Sequence, residues 1–179
     1  MKQQEALLAA VQPLVHQAAV ISTDQLKFTE EVREGCKANF CGRYNACWTC
    51  PPAVGPLEEL KAGVLEWREA LVFTTVSPLE DSYDIEGMEA AREEHNRVEE
   101  RVVKAAGLEA YRVLGAGSCN VCAVCAYPHA PCRFPDKART SVEACGIDVV
   151  RLARTCRINY TNGVNTVTYF SVLLYDREG

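Results

Sequence analysis

The cysteines are the residues with the most distinctive chemistry, and most of them fall into two short segments. The chain has ten cysteines among its 179 residues, and residues 51–118 contain none. The two groups are Cys36, Cys41, Cys47 and Cys50, and Cys119, Cys122, Cys125 and Cys132. The N-terminus lacks the unbroken apolar core of an export signal, so we expect a cytoplasmic, reducing compartment. Clustered cysteines in such a compartment bind metals more often than they form disulfides.

The second group has the more specific spacing, which is Cys-x2-Cys-x2-Cys-x6-Cys from Cys119 to Cys132. Bacterial ferredoxins share the Cys-x2-Cys-x2-Cys core as ligands of 4Fe–4S clusters. Structural zinc sites more often take two ligands from each of two separated knuckles. The spacing therefore predicts a 4Fe–4S cluster, with zinc as the alternative.

The first group is irregular but again supplies four thiols. Its spacing is Cys-x4-Cys-x5-Cys-x2-Cys from Cys36 to Cys50, and Pro51 and Pro52 follow. Cys-Pro recurs after the last ligand in iron–sulfur loops, so we predict a second 4Fe–4S cluster here. A buried structural loop of reduced cysteines is the alternative. Adjacent clusters can exchange ligands between binding runs, and the spacing leaves crossed ligation open.

Other residues with possible ligand chemistry are assigned to simpler roles. Cys145 lies on the apolar side of a predicted helix, so we expect it in the core, and Cys156 is similarly doubtful as a ligand. His129 is expected to be a loop residue beside the second group, although it could replace a cysteine ligand. His95 is expected at the edge of the core.

Charge is distributed unevenly along the chain. Residues 112–157 include seven basic and three acidic residues, so the net charge of this segment is +4. The whole chain has a net charge of −5, so the remainder has a net charge of −9. Cations near an anionic thiolate cluster stabilise it and raise its potential. Arg133 directly follows Cys132 between two prolines, so we predict that it points towards the second cluster or an anion beside it. The alternative is a surface ion pair with Asp136 or Glu143.

The segments around the two groups predict alternating helices and strands. Helices are predicted after Pro56 and over residues 88–105, and strands over 71–76 and 111–114. Asp148 is expected to cap a following turn through Val149, Val150 and Leu152, and a strand ending at Tyr175 is expected at the centre of the sheet. The fold class is α/β or α+β, with a small mixed sheet and helices in a single metal-binding domain over residues 1–179. The predicted cluster loops span about 34–56 and 115–135.

Three further elements are predicted from local signals. A helix is expected over residues 3–18, and another is expected to start near Pro135 and stop at Gly146. Asn162-Gly163 is a strong turn signal, so a hairpin is expected between residues 157–160 and 165–175.

The cysteine segments also carry a family resemblance. Residues 37–52, 119–135 and 160–170 resemble an uncharacterised prokaryotic family of predicted metal-binding proteins, domain of unknown function 2284, of the clustered-cysteine type. The resemblance runs from about Glu34 to the C-terminus, and it implies metal binding through clustered cysteines, often in anaerobes, without an established reaction. Members of that family often have an aromatic residue in place of Cys145, which makes a ligand role for Cys145 less favoured.

Composition and missing motifs exclude several classes of function. The acidic balance argues against a nucleic-acid partner, and no apolar run is long enough for a membrane span. Neither a phosphate-binding glycine loop nor a Ser–His–Asp order is present.

The favoured function is electron transfer to a redox partner protein through two 4Fe–4S clusters. The alternatives are an enzyme whose open-site cluster acts on a small anionic substrate, and a zinc-stabilised interaction module.

Overall fold

The computed structural model describes residues 2–176, and they form a five-stranded mixed sheet with helices packed on it. The helices are α1 Lys2–Val11, α2 Glu30–Lys37, α3 Leu57–Leu65, α4 Ile85–Ala106 and α5 Val149–Cys156. The strands are β1 Gln17–Ser22, β2 Glu69–Pro78, β3 Tyr111–Gly115, β4 Thr140–Ser141 and β5 Thr166–Tyr175. Helices and strands are mixed along the chain and the sheet is mostly antiparallel, so the fold is α+β.

The strand order is β1-β2-β5-β3-β4, which places β5 in the middle of the sheet. Only the short β3–β4 pair is parallel, and the other pairs are antiparallel. The long β2–β5 ladder joins Glu69 to Tyr175 at one end and Pro78 to Thr166 at the other. Because β5 is covered on both faces, its side chains are apolar, Thr, Ser or Tyr throughout, as the sequence predicted.

The sheet separates two apolar cores, because alternate residues of a strand point to opposite faces. On one face, Leu71 and Phe73 of β2 pack with residues of α1 and α4. On the other face, Ala70 and Val72 pack with α5 and with residues 142–147. The two cysteine-rich loops lie outside these cores, so the packed sheet provides the rigid support for both.

Several predicted elements are confirmed. α3 and α4 lie where the apolar periodicity placed them. The turn expected after Asp148 is the start of helix α5, which Asp148 caps by accepting a hydrogen bond from the Arg151 amide. Gly107 ends α4 in the left-handed conformation. β2 extends the predicted strand by two residues at each end, and β3 extends the predicted strand by one residue. Among residues 2–176, no helix is both long and apolar enough to cross a membrane.

Three predicted elements are wrong in whole or in part. The helix predicted over residues 3–18 is present but ends at Val11, and Gln17–Ser22 is strand β1, whose backbone pairs along its whole length with β2. The segment after Pro135 is not a helix but leads through turns into β4, which pairs with the end of β3.

The third error is the hairpin. Residues 157–160 form no strand, because β5 takes both of its partners from distant parts of the chain, β2 and β3. The Asn162 side chain instead bonds to the Thr168 hydroxyl at 2.9 Å, so the expected turn is a loop folded back on β5. Helix α2 was not predicted at all.

Candidate metal centre

The first cysteine loop begins in the last turn of α2, at Cys36, and runs to Pro56 before α3. Its backbone turns at Asn39 and Asn45, both at positive φ, and Asn side chains tolerate this conformation better than most residues. The Asn39 side chain accepts a hydrogen bond from the Tyr44 amide at 2.9 Å. The Asn45 amide donates to the Pro51 carbonyl at 2.8 Å, which closes the part of the loop that contains Cys47 and Cys50.

The second cysteine loop connects β3 to β4 and covers residues 116–139. Its entrance and exit are fixed by the sheet, since β3 and β4 pair in parallel at Leu114–Thr140 and Gly115–Ser141. Within the loop, the exposed Arg133 donates a hydrogen bond from Nη1 to the Val124 carbonyl at 2.8 Å. This bond closes the part of the loop that contains Cys125 and Cys132.

The two loops pack against each other although they are far apart in sequence. Trp48 Nε1 donates to the Ala130 carbonyl at 2.9 Å, and the Tyr127 hydroxyl donates to Asn45 Oδ1 at 2.6 Å. The rings of Trp48 and Tyr127 meet edge to face with centroids 4.9 Å apart. The eight cysteines that the spacing selected therefore lie in two loops that pack against each other.

Cys47 is the residue at which the two cysteine groups touch. It is buried, and its thiol accepts hydrogen bonds that lower its pKa, chiefly from Cys50 and also from Thr49 and Cys125. The Thr49 hydroxyl lies 3.4 Å from Cys47 Sγ. Burial and the shared hydrogen bond raise the pKa of Cys50 in return. A thiol held as a thiolate is prepared for metal binding.

The cysteines divide between two cavities in a way that the spacing does not indicate. A narrow cavity is lined by all four cysteines of the second group together with one of the first, namely Cys47, Cys119, Cys122, Cys125 and Cys132. Arg43 and Trp48 also line it. One cysteine of the first group therefore lines the same cavity as the second group. Which cysteines would bind which cluster stays a prediction.

A second, larger cavity of about 510 Å³ is lined by the other three cysteines of the first group, Cys36, Cys41 and Cys50. Glu143 contributes a carboxyl to the same wall. Burial raises the pKa of Glu143, and burial, Glu143 and Cys41 raise the pKa of Cys36. Glu143 was not selected from the sequence, because it lies in a segment that was predicted as a helix and matches no ligand spacing.

Cys145 and Cys156 lie away from both cavities. Cys145 is fully buried in the core beneath the sheet, as predicted, and Cys156 packs against the same core. Burial raises the pKa of each thiol to about 11. Both thiols are therefore protonated near neutral pH and behave as apolar core groups.

The histidines also take the simpler roles. His129 is exposed on the second loop, in a shallow depression beside Trp48 and Cys132. His95 lies deeper than predicted, since it is fully buried and bonds to Thr75 and Ser171, each at 2.7 Å.

The thiols near these cavities match the chemistry of a soft metal site. Clustered thiolates bind zinc, copper(I) and iron–sulfur clusters, and the lowered pKa of Cys47 favours the deprotonated form that such binding needs. Within residues 2–176, no three His, Cys, Asp or Glu side chains are grouped so that they could hold a single metal ion.

Comparison with known families agrees with this chemistry. Residues 19–175 match the family of predicted metal-binding proteins DUF2284. The chain belongs to this family. Comparison with curated proteins and with solved structures gave no match. The match covers α2 to β5 with both cysteine loops, so metal binding is the property that family membership and the thiol chemistry share.

Proposed function

We propose that this DUF2284 protein binds two 4Fe–4S clusters in its cysteine loops and transfers single electrons to a redox partner. The observation that carries the proposal is the position of Cys47, a residue of the first group that lines the same narrow cavity as all four cysteines of the second group. Two clusters, when bound, supply low-potential one-electron transfer. Their ligands would lie side by side.

The chain's own residues support this proposal in two ways. The Trp48–Ala130 and Tyr127–Asn45 hydrogen bonds hold the two loops in one arrangement, so that neighbouring redox centres would keep a fixed separation. Arg43 lines the narrow cavity together with five cysteines and places a cation close to their thiol groups. A cation at that position stabilises bound anionic sulfur and raises its potential.

Metal identity is tested by anaerobic purification with iron, labile sulfide and zinc analysis and an ultraviolet–visible spectrum. We expect brown protein with about eight irons and a similar amount of sulfide. A reductive titration followed by electron paramagnetic resonance should then resolve two one-electron steps. Stoichiometric zinc without iron or sulfide would contradict the proposal and favour the zinc-stabilised interaction module.

Ligand assignment is tested by comparing two cysteine variants. Cys122→Ser should lose the iron of the second loop, since Cys122 lines the narrow cavity. Cys145→Ala is the control, because Cys145 is an apolar group of the core, outside both cavities, and its removal should leave the iron content unchanged. Equal iron content in the two variants would contradict the assignment of the second loop.

An enzyme is the second candidate function, and the large cavity is the observation that favours it. Only three thiols of the first group face this cavity, while four positions are needed for a fully ligated 4Fe–4S cluster. A cluster held there by Cys36, Cys41 and Cys50 would leave one coordination position facing a space of about 510 Å³. Turnover of a small molecule by the loaded protein would favour this function over electron transfer alone.

A further inference from the structure

The large cavity beside the first cysteine loop has the size and walls of a small-molecule site. Its volume of about 510 Å³ falls within the usual range for ligand pockets. Val32 of α2, Val149 of α5 and Phe170 of β5 form part of its apolar wall, and Phe40 and Tyr160 stand exposed at its rim. The space therefore offers contact to an apolar ligand body on several sides.

The charges around the cavity disfavour an anion. Among the described residues that line it, none is Lys, Arg or His, and Glu143 supplies the carboxyl group. Cys36, Cys41 and Cys50 supply no positive charge, whether as thiols or as thiolates. Arg33, which lies outside the lining, acts on the pKa of Cys36 in the opposite sense to Glu143 but more weakly. A small anion would therefore lose its hydration without a cation in the cavity wall to pair with.

The basic residues that suggested an anionic substrate lie elsewhere. Arg112, Lys137 and Arg139 line a separate polar depression on the other side of the second loop. Arg133 is exposed and bonds to the Val124 carbonyl. The large cavity instead offers the hydroxyl groups of Ser118, Ser141 and Thr168 along with Glu143.

We propose that this cavity binds an uncharged small molecule with an apolar body and a hydrogen-bonding group, placed against Glu143 and the apolar wall in the part of the cavity that a cluster on Cys36, Cys41 and Cys50 would leave open. This inference rests on the proposed function in one respect, which is that the thiols of Cys36, Cys41 and Cys50 are treated as metal ligands. Hydrogen bonds to Glu143 or to the serine hydroxyls would fix the polar end, and the aromatic rim would cover the apolar body.

Two fluorescent probes with the same aromatic body and different charge test this inference. N-phenyl-1-naphthylamine is uncharged, and 8-anilinonaphthalene-1-sulfonate is an anion. In titrations of the anaerobically purified, metal-loaded protein, we expect the uncharged probe to bind at least tenfold more tightly. Equal affinities, or tighter binding of the anion, would overturn the proposal.

Two substitutions assign the binding to this cavity. Val32→Trp should fill it and weaken binding of the uncharged probe at least tenfold, whereas Val150→Trp should leave binding unchanged because Val150 is exposed and lies outside the lining. Phe40→Ala removes part of the rim and should weaken binding about threefold. Phe40 is 98% exposed, so this variant is not expected to disturb folding. Unchanged binding in both Val32→Trp and Phe40→Ala would overturn the proposal.

Metal analysis of the same samples separates this inference from the proposed function. Preference for the uncharged probe in a protein that holds zinc rather than iron would support the cavity and contradict the iron–sulfur proposal. Full iron and sulfide content without binding of the uncharged probe would support the iron–sulfur proposal and overturn the inference about the cavity.

Discussion

The carboxylate of Glu99 forms an ion pair with the guanidinium of Arg139, and this pair joins α4 to the end of the second cysteine loop. Glu99 is 1% exposed and also accepts a hydrogen bond from the Ser171 hydroxyl of β5. The start of the loop lies against the same carboxylate, since a Cβ added at Gly115 would stand 3.2 Å from Glu99 Oε1. One buried carboxylate therefore contacts both ends of the second cysteine loop.

Removal of the cation from this pair should destabilise the protein strongly. Arg139→Gln would leave the buried Glu99 carboxylate without its counter-charge, which typically costs about 3–5 kcal/mol. We expect a loss of this order in the free energy of unfolding, measured by denaturant titration, together with weaker metal retention in the second loop. The double variant Glu99→Gln with Arg139→Gln should recover part of the loss, because no buried charge then remains.

Arg97→Gln is the matched control for this prediction. Arg97 lies on the same helix and pairs with Glu93 and Glu94, but all three side chains are largely exposed. Exposed pairs contribute at most about 1 kcal/mol, so Arg97→Gln should change stability little. Similar losses in Arg97→Gln and Arg139→Gln would show that Glu99 does not anchor the loop.

His95 should make the stability depend on pH in the mildly acidic range. Burial lowers its pKa from 6.5 to about 4, so the unfolded chain binds a proton on His95 in this range while the folded protein does not. The contribution of neutral His95 to the stability of the folded protein is complete above pH 6.5, and it is lost as the pH falls towards about 4. The loss should amount to about 3 kcal/mol, because one pKa unit corresponds to about 1.4 kcal/mol.

Comparison of the wild-type protein with the His95→Gln variant separates the contribution of His95 to the pH dependence of stability from the contribution of the carboxylates. Glu99 is the nearest titratable group, with its Oε1 3.8 Å from His95 Nε2, and Arg139 neutralises it from the other side. Unfolding measured between pH 4 and pH 7 should show a shallower dependence in the variant. Parallel curves for the two proteins would contradict a neutral buried His95.

Regular elements with a clear apolar period could be predicted from the sequence, and elements set by distant partners could not. α4 was predicted because its apolar residues recur every three or four positions over the whole helix and Gly107 ends it. β1 has the sequence Gln-Ala-Ala-Val-Ile-Ser, and its two alanines favour a helix locally. Its pairing with β2, which lies some fifty residues further along the chain, overrides that preference.

The site shows the same division between local and distant information. Both cysteine groups could be selected from spacing, since ligand spacing is a local property. The position of Cys47 beside the second group depends on contacts such as that between Trp48 and Ala130, which are 82 residues apart. Neither Glu99 nor Glu143 has a local signal, because an isolated glutamate on a helix or in a turn is usually solvated.

The contact between the loops should transmit a change in one loop to the other. Trp48→Phe removes the hydrogen bond to the Ala130 carbonyl and leaves an aromatic ring to face Tyr127. The loss of one such bond costs about 1 kcal/mol. Amide hydrogen exchange of residues 119–135, measured by mass spectrometry, should therefore become several-fold faster. Tyr83→Phe, at a residue 87% exposed, is the control and should leave the exchange unchanged.

Arg133 should influence the second cysteine group both through the backbone and through its charge. Its Nη1 donates to the Val124 carbonyl, next to Cys125, and its own residue follows Cys132. No ion pair of Arg133 with Asp136 or Glu143 forms within the described residues, so the surface ion pair considered from the sequence is absent there. That the guanidinium acts on a bound cluster stays a prediction.

Arg133→Gln tests that prediction, because glutamine can still donate a hydrogen bond but carries no charge. With the cation removed, the reduction potential of the second cluster should fall, since a nearby positive charge favours the reduced, more negative state. Iron content should stay at the wild-type level. Arg154→Gln on α5 is the matched control, because it removes the same charge from an exposed position outside both cysteine loops. The reduction potential of the second cluster could instead be the same in Arg133→Gln, Arg154→Gln and wild type. Arg133 would then only stabilise the loop backbone through its hydrogen bond to Val124. Arg43, which lines the narrow cavity, would be the next cation to test for an effect on the potential.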